Sequence, residues 1–188
     1  MKYLIPLISA FAIIIVVAIA LTSLTGQIPH SAANDPQSVS FTALSHATSD
    51  QCAYLGDQTV IYNYVYSQPN DTYFQGSCCT AMVYSHYQQQ IAGLKNYSNI
   101  TEIPPNPYNI SVASVKQLFG YYNNITLNAS QSAIFNKAAS LTNDGSWCCC
   151  QCWAWYAHAG LAKYLIKYHN FNVSQIVQVT NLEDCCGG

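Results

Sequence analysis

Nine cysteines stand where they could bridge, bind or react: Cys78-Cys79, Cys148-Cys149-Cys150-x-Cys152 and Cys185-Cys186, with Cys52 alone. Exported thiols oxidise. Neighbouring cysteines rarely pair with each other because the ring is strained, so the pattern predicts disulfides that join the three clusters. Eight cysteines can pair in on the order of a hundred ways, which leaves the connectivity open. A bridge from the 78/79 pair to the 148–152 cluster would close a loop of about 70 residues and contribute roughly 4 kcal/mol in the chain-entropy account. The ninth cysteine is then left for a thiol, an intermolecular bridge or a modification. A metal centre is the first rival. Cys148, Cys149, Cys150 and Cys152 with Cys185 and Cys186 supply enough thiolates for a four-thiolate zinc site. The paired C-x-x-C knuckles of such sites are missing, so no cofactor or metal is expected. The second rival is nucleophilic catalysis by Cys152, which would sit as a thiolate at a helix N-terminus.

The compartment follows from the start of the chain. Leu4 to Leu24 carries no charge and follows Lys2. A stretch of about 20 apolar residues is long enough to span a bilayer. It also has the layout of a signal peptide, with Ala18-x-Ala20 as a small-residue cleavage site. Either reading sends the rest of the chain outside, secreted or held on the extracellular face. Residues 1–26 are thus expected to be a signal peptide or anchor, 27–51 a polar spacer or pro-region, and 52–188 one cysteine-rich extracellular domain. Asn-x-Ser/Thr acceptors at Asn70, Asn96, Asn99, Asn109, Asn124, Asn128 and Asn172 fit export and predict a glycosylated surface.

Charge narrows the partners. Only 7% of residues are charged, and six lysines face eight carboxylates with no arginine. Nucleic-acid binding is therefore disfavoured. In acid, below the carboxylate pKa values of about 4, the lysines and histidines stay protonated and the chain turns cationic. It would then be drawn to anionic surfaces.

The elements that must position the cysteines follow from pattern. Thr59 to Tyr66 and Phe171 to Thr180 have the β-branched and aromatic composition of strands. Residues 80–94 have near-helical spacing and would project Cys78 and Cys79 at the N-terminal end. Ser111 is a candidate N-cap for 112–119, and Ser130 for 131–141. Trp147 to His169 is the strongest helix candidate. It would be about 34 Å long if helical throughout. Lys163, Lys167 and Tyr156 fall in one sector of that helix, and Trp153, Trp155, Leu161 and Leu165 lie among the apolar remainder. So broadly apolar a helix is either the central core element or one that enters a membrane interface. In the second case Trp147, Trp153, Trp155, Leu161 and Leu165 contact the apolar layer while Lys163 and Lys167 snorkel. His86, His158 and His169 read as packing or capping groups, or as pH switches. The expected fold is α+β: a small helix-dominated, disulfide-stapled extracellular domain behind an N-terminal hydrophobic helix.

Two resemblances bear on function. Gln151-Cys152-Trp153-Ala154-Trp155 resembles the papain-like cysteine peptidases around their nucleophile, over about five residues. That resemblance implies Cys152 as the nucleophile. The family's oxyanion glutamine six positions earlier is Ser146 here, and only His158 and His169 follow the cysteine. In size, leader and composition the whole chain is similar to the sulfolobicins, exported antimicrobial proteins of thermoacidophilic archaea that act on related cells. That resemblance implies a non-enzymatic antimicrobial protein whose partner is the membrane or envelope of a target cell, or a second protein subunit. No functional residue is carried over from it. A structural cell-surface glycoprotein or filament subunit is the alternative class.

Overall fold

The computed structural model describes residues 35–47 and 56–187. The predicted leader at 4–24, most of the spacer and Cys52 lie outside the described residues. The chain divides into the units Met1–Asp35 and Pro36–Gly188, and every element below belongs to the second. In chain order these are α1 (Pro36–Ser45), α2 (Gln58–Ser67), β1 (Tyr73–Gln75), α3 (Tyr84–Leu94), a 3-10 turn (Lys95–Tyr97), β2 (Asn109–Ser111), α4 (Val112–Asn124), α5 (Ala129–Ala139), α6 (Trp153–His169) and α7 (Val173–Leu182). The domain is helix-dominated, as the pattern predicts. Among the described residues no helix is long and apolar enough to cross a membrane.

Helix α6 is the axis of the core. It holds no proline, and alanines at 154, 157, 159 and 162 favour the helix and let neighbours approach closely. Eleven of its seventeen residues are buried. Its packing is most extensive against α4, with α5, α7 and α2 completing the surround. It ends where Asn170 turns left-handed at φ 54° and the Phe171 N–H closes on the Leu165 carbonyl at 3.2 Å. Such a left-handed residue is a common way to stop a helix. The helix expected from Trp147 thus begins at Trp153. Residues 147–152 are bent, with the Cys152 N–H donating to the Cys150 carbonyl at 2.9 Å.

Both predicted strands are helices, for the same physical reason. In α2 the Asp57 carboxylate accepts the N–H groups of Thr59 and Val60, and Ile61 and Val65, four apart, are buried on one face. In α7 Asn172 and Gln175 form a reciprocal capping box, and Ile176, Val179 and Thr180 are buried at helical spacing. A cap and a buried stripe outweigh β-branched composition. The sheet lies elsewhere: β1 and β2 pair antiparallel, Phe74 opposite Ile110, and the Phe74 ring stacks on Trp153 at 4.6 Å. This sheet delivers the chain at Cys78 to the start of α6.

Of the remaining expectations, Ser111 caps α4 by accepting the Ser114 N–H at 3.1 Å. Helix α5 is capped by Asn128, two residues before the expected Ser130. The helix expected over 80–94 begins at Tyr84. Within the stretch read as spacer, α1 packs on α3, with Phe41 against Tyr84 and Tyr87 at 5.0 and 5.6 Å.

Candidate functional site: a sulfur cluster

Three short segments meet beside the N-terminus of α6. Residues 78–80 and 185–186 run side by side, the Cys78 N–H donating to the Cys185 carbonyl at 2.9 Å and the Thr80 N–H to the Cys186 carbonyl at 2.8 Å. Residues 184–187 are fixed from the other side. The Gln90 amide donates to the Asp184 carbonyl at 2.6 Å, and His86 and the Tyr108 hydroxyl both donate to the Gly187 carbonyl, at 2.9 and 2.7 Å. Residues 146–152 are held by α6 itself: the His158 Nδ1 donates to the Trp147 carbonyl at 2.7 Å and the Trp155 indole donates to Ser146 Oγ at 2.9 Å. These bonds satisfy polar groups that the packing takes out of water.

The result is one continuous group of eight sulfurs. Cys78 Sγ lies 3.6 Å from Cys185, 3.5 Å from Cys79 and 3.5 Å from Cys186. Cys79 reaches Cys149 at 3.0 Å and Cys150 at 3.7 Å, while Cys186 reaches Cys148 at 3.4 Å and Cys149 at 2.8 Å. Cys152 joins Cys78 and Cys148 within 4.8 Å. The disulfides expected from the spacing find no support. A disulfide holds its sulfurs about 2 Å apart. The printed sulfur contacts among the described residues run from 2.8 to 3.7 Å, beyond that length. What the spacing predicts correctly is the partnership, since the three clusters do cross-contact.

The electrostatics are those of crowded thiols. Sulfhydryl donation from Cys150, Cys152, Cys186 and Cys78 holds Cys148 well below the usual thiol range. Burial pushes Cys149 up to about 12, against hydrogen bonding from Cys186. Asp144 stands at the edge, where the nearby Cys149 N–H favours its charged form. Burial, then the charges of Asp184 and Cys148, push its pKa up. Asp144, Cys148, Cys149 and Cys186 form one set whose donor atoms all lie within 4.8 Å of one another. The cysteine spacing does not point to Asp144, four residues before Cys148, because a lone carboxylate in a polar turn carries no ligand signature.

The other candidate residues fall as follows. Cys152 is wholly buried at the N-cap of α6 with sulfurs around it. It has the helix position of a peptidase nucleophile but no exposure to solvent. Trp147 and Trp153 are buried against Phe135 and Phe74, and Trp155 is half-buried on Tyr122. Leu161 and Leu165 are 3% and 1% exposed, so they line the core and not an outer face. Lys163 and Lys167 donate to the carbonyls of Tyr122 and Thr126 at 2.6 and 3.3 Å. These carbonyls lie at and just past the end of α4, where a cation is favoured. The helix read as either core or membrane element is the core element. Of the acceptor asparagines, Asn70, Asn96, Asn99, Asn124, Asn128 and Asn172 are exposed, and Asn109 is half-buried in β2.

Compared with family models, with curated proteins and with solved structures, the chain shows no significant match.

Proposed function

We propose that the protein works through its sulfur cluster, as an exported thiolate protein that holds soft metal ions. The observation that carries this reading is the spacing of sulfurs drawn from segments as much as 108 residues apart. Two thiolates bound at about 2.3 Å to one tetrahedral ion lie about 3.8 Å apart. Five of the sulfur contacts measure 3.4–3.7 Å, close to that edge and far from a disulfide. Soft thiolate sets select zinc, copper(I) or iron–sulfur centres over hard cations. A bound cation would also relieve the repulsion that keeps neighbouring thiols protonated. The test is native mass spectrometry with elemental analysis of the exported protein, before and after reduction and metal addition. The expected result is bound soft metal ions that are released by acid together with proton uptake by the thiols. A reduced chain that takes up no zinc, copper or iron sinks the reading.

A second reading keeps the same cluster oxidised. Cys149 lies 2.8 Å from Cys186 and 3.0 Å from Cys79, closer than two thiolates on one ion, and six acceptor asparagines face outward. These favour a disulfide-closed, glycosylated protein acting at the surface of competing cells, as the sulfolobicin resemblance implies. Its contact would be made by outer side chains such as Tyr66, Tyr73 and Tyr168, since α6 lies inside. Four disulfides without metal, together with growth inhibition of related cells, would favour it over the first.

A further inference from the structure

We infer that Asp144, Cys148, Cys149 and Cys186 form a distinct, solvent-open site for a borderline-soft divalent cation of the zinc and cadmium class. The inference rests on the thiolate reading and adds which ion sits where, and by what route it exchanges. Three features of the site support it.

The first is the donor set. Three sulfurs and one carboxylate oxygen lie within 4.8 Å of one another, compact enough to close a tetrahedron after small side-chain rotations. Cys149 sits too near Cys186, at 2.8 Å. It must swing out by about 1 Å to reach the thiolate edge of a tetrahedral site. It can do so because its side chain is exposed. The second is the setting of the carboxylate. It stands within 4.8 Å of the three sulfurs, and the nearby Cys149 N–H favours its charged form, the form that binds a metal. The third is access. A cleft of about 380 Å3 lined by Asp144, Ser146, Cys148, Cys149 and Gln151 opens onto this corner, and among the described residues no lysine lines it to compete for the anions.

The chemistry of the set chooses the ion. Calcium and magnesium avoid thiolate, and copper(I) gains little from carboxylate, whereas zinc accepts both. The oxygen is the weakest of the four ligands and faces the cleft, so it is the ligand that incoming water or a competing chelator displaces first. Ions held by the inner sulfurs of Cys78, Cys152 and Cys185, which are buried, lack that route.

The experiment is metal titration of the reduced full chain with cobalt(II) as a visible probe and cadmium(II) for NMR, in wild type, Asp144→Asn and Cys149→Ser. Asp144 is an exposed loop residue, and unchanged far-UV circular dichroism checks that each variant folds. Wild type should bind one ion in a mixed sulfur and oxygen environment that a chelator strips faster than the rest. Both variants should weaken that ion by about 10–100-fold and leave the other ions in place. Unaltered binding and spectra in Asp144→Asn overturn this site while the thiolate reading stands. Absence of any bound ion in wild type overturns both.

Discussion

Gly160 of α6 lies directly against the main-chain carbonyl of Leu118 in α4, with no room between them for a Cβ. This contact sets how closely the two best-packed helices approach. A Gly160→Ala substitution must push α4 backbone away, and backbone does not yield as a flexible side chain does. We expect a loss of about 1–3 kcal/mol from overpacking, despite alanine's better helix propensity. Urea unfolding of the two proteins checks it, and an unchanged midpoint would contradict the packing described.

Glu183 is wholly buried after α7, and among the described residues neither carboxylate oxygen has a hydrogen-bond partner. Burial raises its pKa well above the usual value. Above the unfolded carboxyl pKa the folded state then holds a proton that the unfolded state has lost, so stability falls as pH rises toward the raised value. Stability from this group is fully present below about 4.3, the ordinary glutamate pKa, and lost as pH rises through the folded pKa. Glu183→Gln keeps the neutral shape and should flatten this part of the profile, measured as unfolding free energy against pH from acid to neutral. Parallel profiles for both proteins would show that the carboxyl does not titrate as described.

In the reduced, metal-free chain, Cys149 is exposed whereas Cys152 and Cys185 are buried. Cys149 and Cys185 are both pushed up to about 12, so access decides between them, and we expect Cys149 to label at least about tenfold faster than Cys185. Peptide mapping after timed iodoacetamide exposure gives the order. A Cys152 that labels first would restore the peptidase reading.

Leu161 and Leu165 are interior. Replacing either by lysine should unfold the domain, at a cost above about 4 kcal/mol for an unpaired buried charge. Tyr168 is 60% exposed. Tyr168→Lys should therefore leave the melting temperature nearly unchanged. Circular dichroism melts separate the two. A folded Leu161→Lys protein would mean that this face of α6 is not core.

Much of this organisation is legible in the sequence, and the failures have physical causes. The Trp147–His169 helix announces itself by length, alanine content and absence of proline, and only its first turn and a half is lost to the bend that gathers the sulfurs. The strands expected at 59–66 and 171–180 show what composition cannot weigh. Tyr62 and Val65 look β-forming until Asp57 is recognised as a cap, and Asn172 with Gln175 is a helix-start signature that β-branched neighbours obscured. Cross-contact between the cysteine clusters follows from the strain of adjacent pairing. The carboxylate at Asp144 does not, because its approach to Cys186 depends on how α7 returns past the 143–149 turn, where Asn181 accepts the Asn143 N–H at 2.9 Å.

The short ladder between residues 78–80 and 185–186 joins positions about a hundred apart, so it cannot form until the intervening helices have found their places. Contacts of such long range carry a large loop-closure cost and are late events in folding. Sulfurs of different clusters that meet only at the end are spared one another's company while the chain is still open, which limits premature pairing between clusters. Interactions made after the folding barrier act on escape from the native state and not on entry to it. Whatever closes the cluster therefore works as a latch: it slows unfolding, and the lifetime of the folded protein, more than its rate of formation, is what the sulfurs set.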